Sequence, residues 1–144
     1  MDVRPKMYTY RTSVKWTEQR KGIGSVPGKP DLEVATPPEF KGHEGIWSPE
    51  DLFVTSANAC LMTTFLAMAE RAALGFTAFA SEAEGTLELV DGKFRFTKIV
   101  LRPRLTLKPG EDAAKARQLL EKAEANCLVS NSMSCTMSLE PTVA

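Results

Sequence analysis

Three cysteines, Cys60, Cys127 and Cys135, are the side chains in this sequence with the clearest capacity for chemistry. A cysteine reacts as its thiolate, and a free thiol is mostly protonated at neutral pH. The common alternative is that each thiol is a small buried apolar group. Cys60 falls within a long apolar segment and Cys127 continues an alanine-rich helical face, so position alone favours packing for both.

Other catalytic schemes find little support in the residue types. His43 is the one histidine of the chain, which removes most Cys–His and Ser–His arrangements. The cysteines have no close ligand pairing, so a zinc site is poorly supported. The sequence has no GxGxxG before a helix, no Walker loop, no CxxC and no HExxH. We therefore expect no metal and no cofactor.

Composition narrows the class of protein further. The chain has 144 residues, 18 Lys+Arg and 18 Asp+Glu, and a formal net charge of zero. This length favours one domain, over residues 1–144. Balanced charge argues against a nucleic-acid or polybasic membrane partner. An odd, small number of cysteines is unlike a secreted disulfide framework, so we expect reduced thiols and a cytoplasmic location.

The elements that would position Cys60 begin with the clearest helix start in the chain. Ser48 is a suitable N-cap, Pro49 suits the first helical position, and Glu50 and Asp51 favour the positive end of the helix dipole. We predict a helix from here to about Ala73, with Gly75 beyond it as the stop. Its charge-free stretch, residues 52–69, reaches the lower length limit of a membrane span. Its hydroxyl and amide side chains favour a helix buried in protein instead.

Strands and one further helix complete an α+β chain. Period-two patterns and turn signals predict strands at Met7–Thr17, Ile23–Val26, Leu32–Ala35, Phe76–Val90, Lys93–Leu107 and Met133–Val143. Asp91-Gly92 signals a hairpin turn, a parity change predicts a bulge near Thr97–Lys98, and Pro103 is expected at an edge or strand end. A second helix is predicted over Glu111–Asn126, because Ala113, Ala116, Leu120, Ala123 and Cys127 share one face.

Three segments together resemble the OsmC/Ohr family of thiol peroxidases. They are Ser48-Pro49-Glu50-Asp51-Leu52-Phe53, Ala57-Asn58-Ala59-Cys60-Leu61, and Ala123 to Ser132 around Cys127. In that family an [N/S]-P-E-x-L-F/L segment opens a central helix that carries the reactive cysteine, and a second cysteine follows a later helix. The resemblance covers nearly the whole chain. It implies antiparallel sheets wrapped around a long central helix, in an intertwined homodimer.

The resemblance also implies residue roles. Cys60 matches the peroxidatic cysteine and Cys127 the resolving cysteine. Glu50 matches the active-site carboxylate, and Arg20 matches the arginine of the first turn, with Lys21 as a second choice. Cys135 matches no functional position and is treated as structural.

One departure from the family concerns the residue after the second cysteine. Leu128 replaces the usual proline, which would let the second helix continue past Cys127.

Helix geometry limits how these residues can meet. Glu50 and Cys60 are ten positions apart, which is about 15 Å along one straight helix and about 80° off one face. If both serve one site, either the helix breaks or Glu50 comes from a second chain. The resemblance favours the second arrangement.

The resemblance implies a cysteine-based hydroperoxide reductase without cofactors. A Cys60 sulfenic acid and then a Cys60–Cys127 disulfide would form, and a dithiol of lipoyl or thioredoxin type would reduce the disulfide. Two alternatives stay open: a catalytically idle small-molecule binding protein, and a redox-sensing dimer. His43, Trp47 and Phe53 would either line the substrate site or pack in loops and core.

Overall fold

The computed structural model describes residues 6–144. The described chain divides into two compact units, the first ending at Leu52 and the second running from Phe53 to Ala144. The expectation of a single domain stays a prediction.

The first unit contains a three-stranded antiparallel sheet. It contains β1 (Ser13–Glu18), β2 (Lys21–Ser25) and β3 (Leu32–Ala35), in that order, and a 3₁₀ turn follows at Pro38–Phe40. The prediction for β3 is confirmed, whereas the predicted strand Met7–Thr17 is too long, since pairing with β2 begins at Ser13. Along β1 both faces are exposed, and Trp16 is 72% exposed.

The central helix, α1 (Pro49–Arg71), begins where its capping residues predict. The Ser48 backbone N–H donates to Asp51 Oδ2 at 2.9 Å, and the Asp51 N–H donates to Ser48 Oγ at 3.1 Å. This reciprocal pair satisfies two backbone donors that the helix itself leaves free. The helix stops near the predicted residue, but Ala73, at φ 53°, adopts the left-handed conformation ahead of Gly75.

A long hairpin forms the framework of the second unit. Strands β4 (Phe76–Val90) and β5 (Lys93–Leu107) pair antiparallel, and Asp91 and Gly92 turn between them with φ of 51° and 80°. Positive φ at both central residues matches the twist of the flanking strands. The register shifts where Thr86 pairs with Lys98 and Leu87 with Phe96, so Thr97 is the extra residue. The predicted bulge is confirmed.

The C-terminal strand differs from its prediction. Residues 133–143 form two short strands, β6 (Thr136–Leu139) and β7 (Thr142–Val143), which both pair parallel to β5, so this sheet is mixed rather than antiparallel. Pro103 was expected at an edge or strand end, but it is buried within β5. It lies opposite the gap between β6 and β7, where the parallel ladder is already interrupted.

Two consecutive helices precede β6. Helix α2 (Ala113–Ala125) starts after Asp112, whose carboxylate accepts from the N–H groups of Ala114 and Lys115. Its buried face contains Ala116, Leu120 and Ala123, as the spacing predicts. The expectation that α2 continues past Cys127 is wrong. The chain is extended at Cys127 (φ −70°, ψ 109°), and a separate short helix, α3 (Leu128–Asn131), follows.

The core of the second unit joins α1 and α2 to the hairpin sheet. Phe65 is fully buried, and its ring lies 5.4 Å from that of Phe79 and 5.6 Å from that of Phe76. Phe53 stacks on Phe96 at 4.7 Å, so within this unit it serves packing. The large aliphatic side chains that are fully buried here are Leu61, Ile99, Leu101, Leu105 and Leu120. This core fixes the helix that carries Cys60.

Candidate active site

Two of the three cysteines meet in the second unit. Cys60 lies midway along α1 and is partly exposed, while Cys127 is fully buried at the extended link between α2 and α3. The two thiols lie close enough for each to shift the pKa of the other, and both cysteines are free. The tertiary structure therefore brings together two thiols that are 67 positions apart in the sequence.

The surroundings of Cys60 favour its thiolate. Burial raises the pKa of Cys60, but hydrogen bonding with the Cys127 side chain opposes this effect, together with the Val129 N–H, the Thr64 hydroxyl and the Leu128 N–H. The balance lowers the pKa of the Cys60 thiol below its ordinary value. Thr64 Oγ1 lies 3.8 Å from Cys60 Sγ, one helical turn further along α1.

Cys127 has the opposite electrostatic character. Burial raises the pKa of Cys127, and the hydrogen bond and charge of Cys60 raise it further, whereas the hydroxyl and backbone N–H of Ser130 act in the other direction. The net direction is upward. The pair is therefore asymmetric: the pKa of the Cys60 thiol is lowered, whereas that of the Cys127 thiol is raised. Such a pair can form a disulfide once Cys60 is oxidised.

Arg20 and Glu50, the two other predicted site residues, belong to the first unit. Arg20 is exposed in the turn between β1 and β2, and its Nη1 donates to the carbonyl of Phe40 at 2.8 Å. With Trp16, Ile23 and Val34 it lines a cavity of about 510 Å³. Lys21, the second choice, is paired instead with Glu18 at 3.4 Å.

Glu50 occupies the first turn of α1, and its Oε2 is buried without a hydrogen-bond partner. Across residues 6–144 of one chain, Arg20 and Glu50 form no ion pair. The helix is continuous from Pro49 to Arg71, so it does not break between Glu50 and Cys60.

Sequence reasoning missed several groups around the cysteines. Thr64 could have been found, because a residue four positions after Cys60 shares its helix face. The N–H groups of Leu128 and Val129 had no such signal, since their approach to Cys60 depends on how α3 packs. Ser130 and the half-buried Glu124, both beside Cys127, were likewise missed.

The third cysteine and possible metal ligands add no further site. Cys135 is buried in the core ahead of β6 rather than in a strand, and its thiol donates to Met137 Sδ at 3.9 Å. Within the described part of the chain, His, Cys, Asp and Glu side chains form no group of three that could hold a metal ion.

Comparison with known proteins identifies the family. Residues 42–142 match the model of the OsmC-like protein family. The chain is 31% identical to peroxiredoxin OsmC of Escherichia coli over 70% of this chain and 69% of that protein. It is 29% identical to the uncharacterised protein YmaD of Bacillus subtilis over 87% of this chain and 86% of that one.

Solved structures agree on the fold. An OsmC-like protein from Vibrio cholerae superposes with a TM-score of 0.86 at 22% identity, over 94% of this chain and 99% of that one. An organic hydroperoxide resistance protein OsmC from Legionella pneumophila gives 0.75 at 22% identity, over 97% and 99% of the two chains. The chain belongs to the OsmC-like family.

Proposed function

We propose that this protein is a thiol-dependent peroxidase that reduces organic hydroperoxides, with hydrogen peroxide as a second candidate substrate. Membership of the OsmC-like family and similarity to peroxiredoxin OsmC support a peroxide-related role. The observation that carries the finer proposal is the asymmetric pair, in which a partly exposed Cys60 with a lowered pKa lies beside a buried Cys127 with a raised pKa.

The proposed reaction begins at Cys60. Its thiolate attacks one peroxide oxygen, the O–O bond breaks, and the leaving alkoxide takes a proton to become the alcohol. Cys60 is now a sulfenic acid. The Cys127 sulfur then bonds to the Cys60 sulfur, the S–O bond breaks, and water leaves. A dithiol, of lipoyl or thioredoxin type, restores both thiols by exchange and is itself oxidised to a disulfide.

Arg20 and Glu50 are proposed to complete the site across two chains. A guanidinium is always charged and its planar fork suits a thiolate, a peroxide oxygen and a carboxylate. A carboxylate can orient that fork through two parallel hydrogen bonds. Since one continuous helix keeps Glu50 and Cys60 apart, we assign the pair to the interface of a homodimer. The unpartnered Glu50 oxygen supports this assignment, because buried carboxylates normally have a partner.

The surface of a single chain supports the same homodimer. Helix α1 is long and apolar enough to cross a membrane, yet only 28% of that apolar window is buried within the chain. Exposed apolar side chains also cluster before and along β1, at Tyr8, Tyr10, Val14 and Trp16. Apolar surface of this extent is typical of protein interfaces. We infer that a second copy covers it, in a cytoplasmic protein with reduced thiols.

The direct test measures free thiols and intact mass before and after one equivalent of cumene hydroperoxide. We expect the wild type to lose two thiols and two mass units, with the bond mapped to Cys60–Cys127. Cys60→Ser should show no change, and Cys127→Ser should stop at an oxidised Cys60. Cys135→Ser is the matched control and should behave as the wild type.

The outcome also separates the alternatives. If the thiols stay unchanged at a high excess of peroxide, the peroxidase proposal is wrong, and a binding protein on the same fold is the alternative that is left. Rapid disulfide formation without turnover by any dithiol would instead favour a redox sensor.

A further inference from the structure

Glu124, near the end of α2, and Ser130, in α3, form a small polar cluster next to Cys127. Cys127 is fully buried and Ser130 is 5% exposed. The Cys127 N–H donates to the Glu124 carbonyl at 3.2 Å, which ties the two residues together at the helix end. Glu124 Oε2 and Ser130 Oγ are both buried without a hydrogen-bond partner. Two unpartnered buried polar atoms in one cluster are unusual in a folded protein.

The Ser130 hydroxyl connects the other two groups. It lies near enough to influence both the Glu124 carboxyl and the Cys127 thiol, but completes a hydrogen bond of good geometry with neither. Within residues 6–144 no lysine or arginine forms an ion pair with Glu124. Burial raises the pKa of Glu124, and Ser130 only partly opposes this effect. A carboxylate with a raised pKa is a stronger base than an exposed glutamate.

The second step of the proposed reaction requires a proton acceptor for the Cys127 thiol, and this cluster contains one. The resting thiol of Cys127 is protonated, and a thiol must lose its proton to become an effective nucleophile. Cys127 is fully buried, so bulk water does not reach it directly. The step is therefore helped by a base within the protein.

We propose that Glu124 accepts the Cys127 proton through the Ser130 hydroxyl while Cys127 attacks the oxidised Cys60; this inference rests on the proposed peroxidase function. The thiol proton passes to the Ser130 oxygen, and the hydroxyl proton of Ser130 passes to Glu124. The new S–S bond forms as the Cys60 S–O bond breaks. The departing hydroxide takes a proton from solvent at the partly exposed Cys60 and leaves as water. Cys127 sulfur is oxidised, Cys60 sulfur is reduced, and Glu124 returns its proton to solvent.

The test resolves the two steps in time. Reduced protein is mixed with one equivalent of cumene hydroperoxide and quenched at intervals with dimedone and iodoacetamide. Mass spectrometry then counts the Cys60 sulfenic adduct and the disulfide separately. We expect Glu124→Gln and Ser130→Ala to oxidise Cys60 at the wild-type rate, but to form the disulfide at least about tenfold more slowly. The sulfenic adduct should accumulate in both.

Matched variants distinguish a proton relay from a structural role. Glu121→Gln changes an exposed carboxylate of the same helix and should leave both steps unchanged. Glu124→Asp keeps a carboxylate and should recover part of the lost rate. Circular dichroism reports whether each variant is folded.

Two results would overturn the proposal. Disulfide formation at the wild-type rate in folded Glu124→Gln or Ser130→Ala would exclude the relay while leaving the peroxidase intact. If no variant, including the wild type, gives a Cys60 adduct, the peroxidase proposal fails and the relay falls with it.

Discussion

Replacing Leu128 by proline tests directly how the protein lowers the pKa of the Cys60 thiol. The Leu128 N–H is one of the donors that lower the pKa of the Cys60 thiol, and proline has no N–H. Leu128 is the first residue of α3, where proline fits a helix, and Cys127 already has the extended conformation that proline requires before it. The side chain of Leu128 is 72% exposed, so its loss removes little packing. The substitution therefore deletes one donor from an otherwise intact site.

The size of the effect follows from the strength of that donor. A hydrogen bond to a charged group contributes about 1.5–3 kcal/mol. Because the acceptor here is the partly exposed sulfur of Cys60, we expect the contribution of this hydrogen bond to be about 1 kcal/mol. A change of about 1 kcal/mol corresponds to about a fivefold change in an equilibrium constant at room temperature. Removing a donor to the thiolate raises the pKa, so the thiolate fraction at neutral pH should fall about fivefold.

The assay follows alkylation of Cys60 by limiting iodoacetamide as a function of pH, with the modified peptide quantified by mass spectrometry. For Leu128→Pro the midpoint should move upward, with slower alkylation below the midpoint and an unchanged plateau at high pH, where both proteins are thiolates. Leu128→Ala retains the N–H and is the matched control. Superimposable profiles for wild type and Leu128→Pro would refute the reasoning, and an equal shift in Leu128→Ala would assign the effect to the side chain.

Three further predictions concern stability and assembly. Phe65→Ala removes a fully buried ring and should lower the free energy of unfolding by about 3–5 kcal/mol in urea titrations. A similar value for Leu89→Ala, whose side chain is 63% exposed, would contradict the assigned core. Asp112→Ala removes the acceptor for two N–H groups of α2 and should lower the free energy of unfolding by about 1 kcal/mol. Asp112→Asn keeps an acceptor oxygen and should retain most of that stability. Trp16→Asp places a charge on the exposed apolar face of β1 and should shift sedimentation from dimer towards monomer. Sedimentation of the wild type as a monomer would contradict the homodimer.

Features set by neighbouring residues could be predicted from the sequence. The Ser48–Asp51 pair, the Asp91-Gly92 turn and the buried stripe of α2 each depend on residues within a few positions of one another. Features that depend on distant pairing were predicted poorly. The single strand predicted over residues 133–143 is instead two short strands. Each of them pairs parallel to β5, and the two paired stretches are separate. Pro103 is buried because the same two stretches leave a gap opposite it.

The sequence by itself determined the helix that carries Cys60 and, through spacing and resemblance, the cysteines to consider. It could not decide what surrounds them, because burial and hydrogen bonding arise from segments far apart in the chain. The break at Cys127 directs the start of α3 towards Cys60, so the two pKa values move in opposite directions. The same break places Glu124 and Ser130 beside the second thiol. Residue types therefore supplied the chemical groups, while tertiary packing decided which thiol has the lowered pKa.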